Sequence, residues 1–142
     1  VPGMVTEAVV NGLGDLSGKI IIDATNPLIF EGNPPTVTYG TDRSLGEIVQ
    51  EAHPEAFVVK AFNTIGWPLM IDPPLPAPVI PLAGDSAEAK AQVAEWVHAL
   101  GIDTVDVGGI YHARVTEYLT VMMLNNQFSG VEKFELVFQK AD

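Results

Sequence analysis

KIIIDAT, residues 19–25, decides the fold. It is a short, continuous apolar run that ends in small polar residues, and such runs read as strands covered on both faces, as in a parallel sheet. Working outward, FVVKAF at 57–62 reads the same way. VIPLA at 79–83 is a third strand, with Pro81 pushing it towards a sheet edge because proline brings no ladder N–H. DTVDV at 103–107 alternates and is a fourth.

Helical periodicity fills the intervals. Residues 3–13 place Val5, Ala8, Val9 and Leu13 on one face, with Gly14 to end the helix. Residues 44–52 carry Leu45, Ile48 and Val49 and close at His53-Pro54. Residues 87–100 form a stripe of Ala89, Val93, Trp96, Val97 and Leu100. Asp85 and Glu88 are spaced as a capping box, and Gly101 sits where a C-terminal glycine belongs. A last helix over 110–126 holds Val115, Leu119, Met122 and Met123. The tail, 133–139, alternates Phe134, Leu136 and Phe138 as a further strand. Two proline-rich stretches, 31–39 and 68–81, carry no period and read as loops. Strands alternating with helices predict an α/β fold with a mostly parallel sheet flanked by helices, built as one domain over 1–142.

Composition narrows the function. Charged residues are 18%, below the ordinary quarter, while hydrophobic residues are 47%, so a real core is expected. The net charge of −11 argues against nucleic acid and anionic membrane surfaces as partners. The absence of cysteine excludes disulfides and thiolate chemistry. No apolar run approaches the roughly 20 residues of a membrane span, and no signal peptide is visible, so a cytoplasmic setting is expected. The opening Val1-Pro2 reads as a cut through a longer chain.

In open α/β sheets, ligands bind beyond the carboxyl ends of strands. The candidates are therefore Thr25, Asn26 and Pro27 after the first strand, Asn63 and Thr64 after the second, and Gly84 and Asp85 after the third. Neutral amides and hydroxyls hydrogen-bond a ligand without a charge to desolvate. The plainer alternative is that Asn26 and Asp85 cap helices or turns and Thr64 closes a loop. Lys60 stands inside an apolar strand; either its amine reaches a cofactor phosphate or a carboxylate, or, the favoured reading, its stem packs and the amine snorkels to an edge. His53, His98 and His112 are widely spaced and match no metal site; a surface position is expected for His112. Asp103 and Asp106 point to opposite faces of a strand and form no acid–base pair. There is no Gly-x-Ser-x-Gly, and Ser17, Ser44, Ser86 and Ser129 read as turn or cap residues. Gly12 and Gly14 follow a helix and precede a strand, the wrong order for a phosphate-binding loop.

Four segments in order, DATNPL at 23–28, VVKAFNT at 58–64, GD-x-x-x-AK at 84–90 and VD-x-GG-x-x-x-AR-x-x-E at 105–117, resemble the coenzyme F-420-dependent NADP oxidoreductases and their pyrroline-carboxylate-reductase-like relatives. The resemblance implies a partial, Rossmann-like NAD(P)-binding domain lacking the N-terminal glycine-loop half. It further implies hydride transfer between NADP(H) and a deazaflavin, coenzyme F-420, or a similar acceptor. By it, Pro2 looks like the turn after a preceding strand near the NADP, Asn26, Pro27 and Leu28 like the next strand-end loop, and Ala61, Phe62, Asn63 and Thr64 like the loop beside the nicotinamide and second substrate. Arg114 and Glu117 match a family pair read as an i, i+3 ion pair. No catalytic acid or base is named, since the cofactors carry the chemistry. Without the glycine loop, tight NADP binding is not expected. The strand at 20–24 should then show an unpaired apolar edge and associate with another chain. Two other readings stay open: a non-catalytic binding or assembly module on the reductase core, and a hydrolase-like activity in the strand-end cleft, for which no activated nucleophile is seen.

Overall fold

The computed structural model describes every residue except 33, 34, 38, 40, 75, 131–133, 135, 141 and 142. The chain opens with a 3-10 turn (Gly3–Val5) and α1 (Thr6–Val10), followed by β1 (Ile20–Asp23) and a small hairpin of β2 (Leu28–Ile29) and β3 (Thr36–Val37). Then come α2 (Leu45–Ala52), β4 (Phe57–Lys60), α3 (Trp67–Ile71), β5 (Val79–Ala83), α4 (Ala87–His98) and β6 (Asp103–Gly108). A 3-10 turn (Ile110–His112) leads into the long α5 (Ala113–Phe128).

The main sheet has the order β1-β4-β5-β6. β1 and β4 run parallel with Asp23 opposite Lys60, and β5 and β6 run parallel. The two pairs meet antiparallel at the single partner pair Lys60 and Ala83. The sheet is thus mostly parallel and the α/β class is as expected, but the junction has a consequence for function. The carboxyl ends of β1 and β4 lie on one rim, and those of β5 and β6 on the opposite one.

Alternation along β4 divides the core between the two faces. Val59 packs with Ile80, Leu82, Ala89, Val93, Val97 and Ile102 under α4. Val58 packs with Val10, Val49, Ile110 and Ala113 under α1, α2 and α5. β4 is therefore apolar at successive positions because both of its faces are covered, and each buried valine of this kind contributes about 1.5–3 kcal/mol.

Local reasons for the elements are visible. Ser44 caps α2 by accepting from Glu47 N, and the Glu47 side chain accepts from Ser44 N in return, a complete capping box. Gly101 has φ +78, the left-handed conformation that stops α4.

Several expectations are corrected. β5 is an inner strand, not an edge. Pro78 O accepts from Asp103 N, so by alternation Pro81 turns its backbone towards β4, where the ladder is one pair long and a missing N–H costs little. Asp85 does not cap α4; Ser86 does, accepting from Ala89 N. Trp96 and Leu100 stand about half exposed at the margin, while Ala89, Val93 and Val97 face the sheet. α1 is short and buries Thr6 and Val10, leaving Val5 and Leu13 exposed. α5 turns Thr116, Glu117 and Thr120 inward and leaves Val115 and Met122 more than half exposed, because the groups beneath it are polar and need partners. The two proline-rich loops contain β3 and α3. Of the tail strand, Phe138 forms one bridge, to Val79; residues 133 and 135 lie outside the described residues.

Candidate functional site

The rim where β1 and β4 end is built on a buried ion cluster. Asp23 stands opposite Lys60 in the parallel register, and the Lys60 ammonium lies 2.9 Å from Asp23 Oδ2 and 2.6 Å from Glu117 Oε1. Lys60 also donates to the carbonyl of Thr25. The Glu117 carboxylate in turn accepts from Leu45 N at 3.1 Å and Gly46 N at 3.2 Å, the first amides of α2. All three side chains are sealed from water. Burial pushes the Glu117 carboxyl above the usual range, although Lys60 and the two amides oppose it. Lys60 therefore does not snorkel; the carboxylate alternative holds, because Asp23 and Glu117 meet its charge inside the fold.

Above this cluster the two strand-end loops lock together. Asp23 Oδ1 accepts from both the backbone N–H and the hydroxyl of Thr25, at 2.9 and 2.7 Å, turning the chain at the end of β1. Asn26 Nδ2 donates to the Asn63 carbonyl at 3.1 Å, and Thr120 Oγ1 donates to the same carbonyl at 3.0 Å. That first bond fixes which way the Asn26 amide points, so its Oδ1 faces Asn63 and accepts from Asn63 Nδ2 at 3.2 Å. Asn63 Oδ1 is left buried with no partner among the described residues. Between the strand and this asparagine, Phe62 has φ 63, the one described non-glycine residue in the left-handed region.

The N-terminal turn closes the third side. A Cβ on Gly3 would stand 1.8 Å from the Asn26 carbonyl oxygen, so only glycine permits this approach, and Pro2 is carried to the rim with it. The structure thus brings Pro2, Thr25, Asn26, Pro27, Leu28, Ala61, Phe62, Asn63 and Thr64 to one rim. Pro2, Thr25, Asn26 and Phe62 keep exposed surface; Pro27, Leu28, Ala61, Asn63 and Thr64 are buried beneath them. A groove of about 280 Å³ runs beside it along β1, lined by Ile22, Ala24, Thr25, Thr6, Val9 and Leu13 among others.

Gly84 and Asp85 are not part of this rim. The antiparallel junction carries them to the opposite one, where Asp85 Oδ1 accepts from Ile110 N at 2.9 Å. A larger groove of about 610 Å³ lies beside them, between Asp85, Ser86, Gln50 and Phe57.

Arg114 and Glu117 do not pair. Arg114 grips Glu47 with two bonds, at 2.8 and 2.6 Å, while Glu117 serves Lys60. Burial raises the Glu47 carboxyl, but the hydrogen bonds from Arg114 and Ser44 outweigh it and hold the group below its ordinary value. His53 meets the Val10 carbonyl, His98 meets Asp103, and His112 is half-buried against the Tyr111 ring. Among the described residues no three His, Cys, Asp or Glu side chains converge as metal ligands, and no helix is long and apolar enough to cross a membrane.

The ion cluster was hidden in the sequence. Its one signal was a lysine inside an apolar strand; the partners lie 37 residues before and 57 after it, and only register brings them together.

No protein-family model matches the chain. A structure from Arthrobacter sp. FB24, provisionally described as an F420-dependent NADP reductase, superposes with a TM-score of 0.87 and 35% identity, covering 99% of this chain and 67% of that one. Hypothetical protein SMa0349 from Sinorhizobium meliloti superposes with a TM-score of 0.74 and 30% identity, covering 99% and 64%. Among curated proteins, the F420-dependent NADP reductase of Methanocaldococcus jannaschii is 28% identical over 115 residues, 78% of this chain and 51% of that protein. Metalloreductase STEAP3 of Rattus norvegicus is 33% identical over 110 residues, 77% of this chain and 21% of that protein. The chain therefore spans about half the length of the first and about a fifth of the second. Sequence, fold and coverage agree that the chain belongs to the F420-dependent NADP reductase family of oxidoreductases.

Proposed function

We propose that the rim of β1 and β4 holds the nicotinamide end of NADP(H) in a reductase that exchanges hydride with a deazaflavin such as coenzyme F-420. The observation that carries this reading is the Asn26–Asn63 amide pair, which locks two strand-end loops into one uncharged surface beside Thr25 and Phe62. A flat, neutral ring with a carboxamide matches such a surface, since neither partner has a charge to desolvate. The pyrophosphate end is different: no described residue supplies a glycine-rich turn at a helix start, so this chain's own residues fit the nicotinamide half only.

When bound, NADP(H) supplies the hydride chemistry. The protein's part is placement and dryness. Thr25, Asn26 and Phe62, with Pro2, form the surface that orients the ring; buried Pro27, Leu28, Ala61, Asn63 and Thr64 hold that surface rigid and exclude water. Titration of the chain with NADPH, read by nicotinamide fluorescence, tests the reading. Weak saturable binding that Asn26→Ala abolishes is expected; no binding at millimolar NADPH would remove the cofactor role from this chain.

A second reading, that the reductase core also serves assembly, rests on β1. It ends the sheet, and Ile22 on it is 39% exposed. An apolar edge of this kind recruits a strand from another chain. Loss of association in Ile22→Lys, by light scattering, is the expected result; association unchanged by that charge would end this reading.

A further inference from the structure

We propose that Asn63 reads the carboxamide of the nicotinamide, its Oδ1 accepting from the ligand's amide N–H, and so selects amide-bearing dinucleotides over analogues that cannot donate. The inference rests on the reading of this rim as a nicotinamide site and names the residue that makes the site selective. Asn63 is 5% exposed, and its Oδ1 is buried with no partner among the described residues. A sealed acceptor without a donor is costly, and the cost is recovered when a donor arrives. The rest of the residue is committed. Its backbone carbonyl accepts from Asn26 Nδ2 at 3.1 Å and from Thr120 Oγ1 at 3.0 Å, and its Nδ2 donates to Asn26 Oδ1 at 3.2 Å. Turning the Asn63 amide over would set its Oδ1 against Asn26 Oδ1, acceptor against acceptor, so the free oxygen stays where it is.

Asn26 supplies the complementary half. An amide nitrogen carries two hydrogens, and Asn26 Nδ2 spends one of them on the Asn63 carbonyl. Asn26 keeps exposed surface at the rim, so the second hydrogen can serve a ligand. The bonded pair thus offers one acceptor and one donor. A primary carboxamide presents the same two groups in the opposite sense, its N–H to Asn63 and its carbonyl to Asn26. A carboxylate in its place has only acceptors and sets a charge against Asn63 Oδ1; a methyl ketone leaves that oxygen unpaired. Because Oδ1 is closed off from water, the ligand must displace part of its cover. Phe62, the residue before it, is half-buried and holds φ 63, a left-handed conformation unfavourable for a residue with a Cβ. Strain of this kind concentrates at ligand sites, where binding can relieve it. Asn63 is tied to Asn26 and Thr120, so Phe62 is the member of the loop that yields.

NMR titration of the isotope-labelled 142-residue chain tests this, comparing NADPH with its reduced acetylpyridine analogue, whose methyl ketone accepts but cannot donate. NADPH should bind about tenfold or more tighter, because it alone satisfies Asn63 Oδ1. The side-chain amide signals of Asn26 and Asn63 should move with NADPH. Asn63→Leu has a similar volume and no acceptor, and its ratio of affinities should fall to about one. Taking the ratio cancels any general loosening of the rim in the variant. If Asn63→Leu does not fold, wild type alone decides: equal affinity for the two dinucleotides overturns the proposal. So does a preference for NADPH that persists in Asn63→Leu. Saturable binding without discrimination ends this proposal and leaves the nicotinamide reading of the rim standing; absence of binding at millimolar NADPH removes both.

Discussion

Lys60 Nζ and Glu117 Oε1 lie 2.6 Å apart, with the side chains 0% and 1% exposed. They join the end of an inner strand to the middle of the last helix, and Asp23 completes the cluster from the neighbouring strand. One ammonium meets two carboxylates, so the group is arranged to hold the rim's foundation in one geometry more than to add net stability.

Lys60→Met is expected to destabilise the protein by about 3–5 kcal/mol, since removing the cation leaves Asp23 and Glu117 buried without their counter-charge. Denaturant midpoints against wild type measure it. A change below about 1 kcal/mol would mean that the cluster is not closed in solution.

The cluster also sets a pH dependence. The Glu117 carboxyl is raised in the folded protein, first by burial. Its contribution to stability is therefore fully present below the unfolded value and is lost as pH rises through the raised folded value. Glu117→Gln should remove that loss, so the variant's melting temperature relative to wild type should climb as pH increases from acid to neutral. A difference that stays constant with pH would contradict the assignment.

Glu47 behaves oppositely. Burial raises it, but Arg114 and Ser44 hold it below its ordinary value. Its contribution is present above the unfolded value and is lost as pH falls through the lowered one. Thermal melts should show Arg114→Ala destabilised at neutral pH and converging on wild type in strong acid. Ser44→Ala, which removes the cap of α2, is expected to cost about 1 kcal/mol at neutral pH.

Gly3→Ala should damage the rim first, with a smaller push on Leu45, which the new Cβ would approach to 3.0 Å. The added methyl would meet the Asn26 carbonyl, so the N-terminal turn must move away. NADPH affinity is expected to fall further than the small loss of melting temperature accounts for. Unchanged affinity would show that the Pro2 turn takes no part in the site.

Helix caps and strand ends were legible before the structure because they are local. Ser44 stands as a cap, the 19–25 run forms a strand, and Gly101 stops a helix by its own conformational freedom, but the capping box expected of Asp85 and Glu88 does not form, because Ser86 caps α4, and β1 is an edge with Ile22 39% exposed rather than a covered strand. Thr25, Asn26, Pro27, Asn63 and Thr64 were legible for the same reason, since they come just after a strand, whereas Pro2, Leu28, Ala61 and Phe62 were named only through the family resemblance. What the reading mistook is non-local. The edge position assigned to Pro81, the snorkelling favoured for the Lys60 amine and the inward face assigned to Val115 and Met122 all depended on what stood opposite them.

The sequence by itself determined the four main strands and the helices between them, their order, the family resemblance and the small polar residues at the strand ends, because these follow from the periodicity and turn chemistry of neighbouring residues, but not β2, β3 or α3, which are too short to show a period. Only the tertiary structure decided that β5 runs against β4, which puts Asn26 and Asn63 on one rim and Asp85 on the other. It alone joined Lys60 to Asp23 and Glu117. A buried charge must find its counter-charge in space, and the chain can bring that partner from any distance along its length.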